Sequence, residues 1–158
     1  MRSVAIFALL LGLAACATNE GDRSGLDAER DACGARAGAS PEFQALQYRL
    51  QGYSNGAKAT PTEASQMTTF HQDYLRPCQE IELEIAGRTH PSLPALYNAA
   101  AAKADANIAK LVSREITWGE YLRNAAAIRR DLNAQLEAAK IALKLPSLNE
   151  LNQPRPTN

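Results

Sequence analysis

From about residue 60 onward the apolar residues of this chain recur at helical spacing. Met67, Phe70, Tyr74, Cys78, Ile81 and Ile85 follow at intervals of 3, 4, 4, 3 and 4, which puts them on one face of a helix. Thr60-Pro61-Thr62-Glu63 supplies its start: a threonine N-cap, a proline at the first helical position and a glutamate that reaches back to the cap N–H. Pro77 falls inside the pattern. Proline lacks the N–H and clashes with the preceding turn, so a kink or short break is predicted near Leu75-Arg76. Gly87 to Pro91 is a break, after which Ser92 can cap a helix with Leu93, Leu96, Tyr97, Ala100, Ala104, Ile108 and Leu111 inward. Thr117-Trp118-Gly119-Glu120 is a second capping box. It opens the longest helix, to about Leu145, with Trp118, Tyr121, Leu122, Ala125, Ile128, Leu132, Leu136, Ala139 and Leu143 as a heptad-like stripe. These last two helices are joined by a short turn and should pack antiparallel.

The preceding segment is less regular. Leu26 to Ala37 has helix-compatible composition and carries Cys33, but Gly34 and Gly38 weaken it. Ser40-Pro41-Glu42 opens a second short helix with Phe43, Leu46 and Leu50 on one face, ended by the turn residues Gly52 to Gly56. Residues 17–25 are polar and glycine-containing and read as a flexible tether. Residues 146–158 contain three prolines and no periodicity and read as a disordered tail. No strand alternation and no internal repeat is found. The predicted fold is all-α: a small helical bundle over residues 26–145, with a long C-terminal antiparallel helical hairpin.

Composition agrees with this class. The chain has 158 residues, which suits one domain, and only 6% are aromatic. Abundant alanine favours close-packed helices. The 17 basic and 17 acidic residues cancel, so nothing resembles the basic patch of a nucleic-acid binder.

The N-terminus reads differently. Met1-Arg2-Ser3 carries one positive charge, and residues 4–13 are an apolar run of about ten, the pattern of an export signal. The run is too short to cross a bilayer, which takes about twenty apolar residues. Where it ends, Leu13-Ala14-Ala15-Cys16 resembles the lipobox of bacterial lipoproteins. That resemblance implies cleavage before Cys16, a diacylglycerol on its thiol and further acylation (palmitate, for example) of the new amino group. Two or more acyl chains anchor stably. An ordinary signal peptide with a coincidental cysteine is the alternative. Ala17, where an aspartate would imply inner-membrane retention, implies the outer membrane, its inner leaflet facing the periplasm.

Three cysteines are an odd count for an exported chain. Lipidation of Cys16 would account for one. Cys33 and Cys78 then remain to form a disulfide in an oxidising compartment. A bridge closing a loop of about 46 residues contributes roughly 4 kcal/mol on the chain-entropy estimate. Two buried free thiols are the competing reading.

Candidate chemistry is sparse. Cys33, Cys78 and His71 could in principle contribute metal ligands, but a site needs three or four that converge; the favoured reading is a bridge plus a surface histidine, with no metal or cofactor. His90, in Thr89-His90-Pro91-Ser92, reads as an exposed turn residue. Glu80, Glu82 and Glu84 alternate around the helix and read as solvated surface, and Arg129-Arg130-Asp131 as a surface with local ion pairing. Gly-x-Ser-x-Gly, HExxH and glycine-rich phosphate loops are absent. Trp118 and Tyr121 sit at the hairpin tip, either capping the core or forming an exposed aromatic patch for a partner or for cell-wall sugars.

Pro61, Thr62, Cys78, Ile116, Thr117, Trp118 and Gly119 are loosely similar to a pattern in small proteobacterial envelope proteins, with Glu63 one position early. No activity comes with that resemblance. The expected role is a non-enzymatic, lipid-anchored structural or protein-interaction module. A small-ligand or metal-binding module is the alternative, followed by a cell-wall-acting enzyme.

Overall fold

A computed structural model describes residues 20–52 and 55–144. The signal segment, Leu13, Ala14, Ala15, Cys16 and the 146–158 tail lie outside the described residues. The fold is all-α. Its helices are α1 (Glu20–Ala39), α2 (Pro41–Leu46), α3 (Pro61–Phe70), α4 (Arg76–Thr89), α5 (Leu93–Val112) and α6 (Trp118–Leu143). A 3₁₀ turn, Arg49–Gln51, follows α2. Among the described residues the only β-type pairing is an isolated antiparallel bridge between Lys58 and Thr117. No described helix is long and apolar enough to cross a membrane.

Helix α5 packs against α6, α4 and α3, while α1 packs on α4 and α2 on α3. The α5–α6 hairpin forms as the spacing predicts. At 26 residues α6 outruns the 20 of α5, by roughly 9 Å at 1.5 Å per residue. Both predicted capping boxes close. Thr60 Oγ1 accepts from Glu63 N at 3.2 Å while Glu63 Oε2 accepts from Thr60 N at 2.8 Å. Thr117 and Glu120 repeat the arrangement at 3.2 and 2.7 Å. Ser40 caps α2 by accepting from Phe43 N. Ser92 does not cap α5; its hydroxyl is held by His90 Nδ1 at 2.8 Å instead.

The turn between α5 and α6 is a Schellman motif. Arg114 N donates to Leu111 O and Glu115 N to Lys110 O, the pairing that satisfies the last carbonyls of a helix. It needs a left-handed residue, and Arg114 supplies it at φ 63° where glycine is usual.

Near Pro77 the helix does not break; it passes from α3 to α4 through a π-helical turn, His71–Leu75. Arg76 N donates to His71 O, five residues back, so the helix widens where the proline ring would meet the preceding turn. Residues in a wider turn advance by less than the roughly 100° of an α-helix. Everything beyond it is therefore rotated relative to the face of α3. Leu75, Cys78, Glu82, Ile85 and Ala86 turn inward, while Tyr74 and Ile81 are half-buried. This overturns the expectation of a surface position for Glu82.

The predicted tether ends sooner than the composition suggests, because α1 begins at Glu20. Leu26 is buried and Arg30 pairs with Asp27, which fixes helix there. Extending a formed helix costs far less than nucleating one.

Two apolar clusters occupy opposite ends of the hairpin. The larger gathers Phe43, Leu46, Met67, Phe70, Leu111 and Trp118 with their neighbours. The smaller joins Ala86, Leu93 and Leu136, flanked by Leu96, Tyr97 and Leu132. Between them Asn107, buried on α5, donates to Tyr121 O and accepts from Asn124 Nδ2, both at 3.0 Å. This satisfied amide pair fixes the register of α5 against α6.

Candidate functional site

Four places on this scaffold bring functional side chains together. The first is the hairpin tip. Trp118 is 0% exposed and sits within the larger apolar cluster. Its ring meets half-buried Tyr121 edge-on, 5.9 Å between centroids, and burial pushes the Tyr121 phenol pKa up. The loop before α3 folds over the tip. Trp118 N donates to Ala57 O at 2.9 Å and Gly119 N to Asn55 O at 2.7 Å, taking up two of the N–H groups that a helix start leaves free. Trp118 is thus the core cap, and the exposed aromatic patch is corrected. The loop covers the tip through backbone carbonyls, which no side-chain periodicity announces.

The second is the Cys33–Cys78 disulfide, Cα–Cα 5.7 Å, which joins α1 to α4. The free-thiol alternative is closed, and with it a site that uses both thiolates. Among the described residues no group of three or more His, Cys, Asp or Glu side chains is arranged to hold a metal ion. His71 is not a surface residue: it is 8% exposed. Its Nε2 donates to Asp105 Oδ1 at 2.8 Å, since a carboxylate only accepts. Arg76 lies 3.8 Å from the other oxygen. These contacts tie the π turn to α5.

The third is Glu63, where one carboxylate serves two purposes. Besides closing the α3 cap it accepts from the Tyr48 hydroxyl and from Arg49 Nε, the latter at 2.7 Å. Burial alone would raise its pKa. The hydrogen bonds from Thr60, Tyr48 and Arg49 outweigh burial and bring it down to about 2. Tyr48 is 60% exposed, with the Arg49 guanidinium 4.8 Å from its ring centroid. The cluster pins the 3₁₀ turn to the start of α3.

The fourth is Glu82, buried where α1, α4 and α5 meet. Its pKa is raised to about 7, first by burial and then by Asp27 and Asp31, with Arg30 opposing. Sequence reasoning missed this group because its charge reads as solvated surface, although Glu82 lies four residues after Cys78 and three before Ile85, on the apolar face. The signal that could have found it is that spacing, which puts Glu82 between two inward positions. His90 stays in its turn, half-buried. Asp131 pairs with Lys103 of α5 at 3.2 Å rather than within its own helix.

Comparisons of the chain with models of known protein families, with curated proteins and with solved structures gave no match.

Proposed function

We propose that this chain is a bacterial lipoprotein, cut before Cys16 and held in the envelope by lipid on that cysteine. Its helical domain faces the periplasm from the inner leaflet of the outer membrane and serves as a structural or protein-interaction module without catalytic activity. The observation that carries the reading is the pairing of cysteines. The Cys33–Cys78 bridge accounts for two of the three, and the third stands at the last position of Leu13-Ala14-Ala15-Cys16, where the apolar run ends. A disulfide suits an exported protein. An export signal that ends in this tetrapeptide then supplies both route and anchor.

The test is Cys16→Ser. The variant is expected to leave the membrane fraction for the soluble one and to lose labelling by a radioactive or clickable palmitate analogue, while circular dichroism reports an unchanged helical domain. A Cys16→Ser protein that stays membrane-bound through detergent-free washes overturns the lipid anchor. The interaction role is tested separately, by crosslinking in intact envelopes. Recovery of the wild type with no crosslinked partner removes it.

A further inference from the structure

Helix α1 is fastened to the bundle in two ways. One is covalent, through Cys33 and Cys78. The other lies one helical turn along α4, where Glu82 follows Cys78 by four residues and so shares its face. Glu82 is 7% exposed, and its Oε1 has no hydrogen-bond partner among the described residues. From α1 it is faced by Asp27, Arg30 and Asp31, and it acts on Tyr97 of α5.

The charges there do not balance. Arg30 is the cation that faces Glu82, and its guanidinium is already engaged by its own helix. Nη1 is ion-paired with Asp27 Oδ1 at 3.0 Å without a hydrogen bond to it, and Nε and Nη2 each donate to Asp31 Oδ1 at 3.1 Å. Tyr97 adds no positive charge; its phenol is pushed up to about 12, by burial first and the Glu82 carboxylate second. Three carboxylates therefore share one guanidinium, and the most buried of the three lacks a partner for one oxygen. An uncompensated buried carboxylate is costly, and a proton removes that cost.

We propose that the junction of α1, α4 and α5 is a proton-operated clasp. With Glu82 neutral, α1 lies against α4 along its length. When Glu82 ionises, the part of α1 before Cys33 detaches to hydrate the carboxylate, while the disulfide retains the helix from Cys33 onward. The carboxyl group holds its proton up to about pH 7 when docked, against 4.5 in its ordinary state. Opening thus releases one proton between those values, and the open population rises about tenfold per pH unit across that window, levelling off above it.

The experiment is amide hydrogen exchange on the full chain at pH 5 and pH 8, each corrected for intrinsic exchange chemistry. Protection of residues 26–32 is read against the middle of α6. In the wild type this relative protection is expected to fall at least tenfold between the two pH values. In Glu82→Gln it should not change with pH. Asp27→Asn keeps Glu82 but removes a repelling charge and frees part of Arg30, so its midpoint should move to lower pH. Wild-type protection that stays within twofold overturns the clasp without any variant. So does a Glu82→Gln protein that opens like the wild type, or an Asp27→Asn midpoint that stays put or rises.

Discussion

Replacing Trp118 by alanine tests the architecture where the hairpin, α3 and the covering loop converge. The side chain is fully buried against the larger apolar cluster and meets Tyr121 edge-on. Removing a buried tryptophan down to alanine costs about 3 to 5 kcal/mol in transfer and cavity terms together. The aromatic pair adds roughly 0.5 to 1.5 kcal/mol. Against a total stability of about 5 to 15 kcal/mol for a domain, the variant should be near the limit of folding. The backbone contacts of Trp118 and Gly119 to the loop and the Thr117–Glu120 box survive the substitution, so the loss isolates the ring. Trp118→Phe is a graded companion. It keeps one ring and removes an indole N–H that has no acceptor among the described residues, so its cost should be smaller, about 1 to 2 kcal/mol. Urea unfolding followed by circular dichroism, with the disulfide intact, reads both. At a slope of roughly 1 to 3 kcal/mol per molar, the alanine variant should lower the midpoint by more than 1 M. Ile141→Ala, at a position 80% exposed, is the control and should stay within about 0.5 kcal/mol. An alanine variant that loses less than about 1 kcal/mol would refute the buried cap and return Trp118 to the surface.

Other outcomes follow from the two buried glutamates, the hairpin turn and the bridge. Glu82 is raised from 4.5 to about 7, so its share of stability is complete below pH 4.5 and is lost as pH rises through 7, roughly 3 kcal/mol. Glu63 is lowered from 4.5 to about 2, so its share is present above 4.5 and is lost as pH falls through 2, about 1 to 2 kcal/mol after solvent screening. Urea midpoints between pH 2 and 8 should show Glu82→Gln flattening the neutral side and Glu63→Gln the acid side; variants that leave both slopes unchanged would exclude these assignments. Arg114→Gly relieves a left-handed residue at φ 63° and should stabilise the protein by up to about 1 kcal/mol, visible as a higher Tm. A lower Tm would mean the side chain supplies more than the backbone strain removes. In Cys16→Ser protein, thiol titration under denaturing conditions without reductant should find no free thiol. Reduction should then cost up to about 4 kcal/mol, and two titratable thiols before reduction would remove the bridge.

Much of the fold was legible because helices declare themselves locally. The 3- and 4-residue spacing of Leu93 to Leu111 and of Trp118 to Leu143, the boxes at Thr60 and Thr117, and the alanine-rich inner faces all depend on neighbours within a few residues. The cysteine pairing was legible as arithmetic, since an odd count and one cysteine at the lipobox leave two. The candidate sites were less so. His71 and Glu82 look like surface groups in a linear pattern, and Trp118 at a predicted tip looks equally able to face inward or outward.

What the sequence determined by itself is therefore the helical class, the hairpin, the caps and the likeness of its first sixteen residues to a lipoprotein leader. Each rests on interactions along one stretch of chain. Only the tertiary structure decided which polar groups are buried. Glu82 shares the face of α4 that carries Cys78 and is buried against α1, where its charge alone would have placed it in solvent. The loop before α3 closes over Trp118 from outside the hairpin. Burial depends on what lies across an interface, and the partners of Glu82 stand about fifty residues earlier in the chain, on a helix brought there by packing and the Cys33–Cys78 bond.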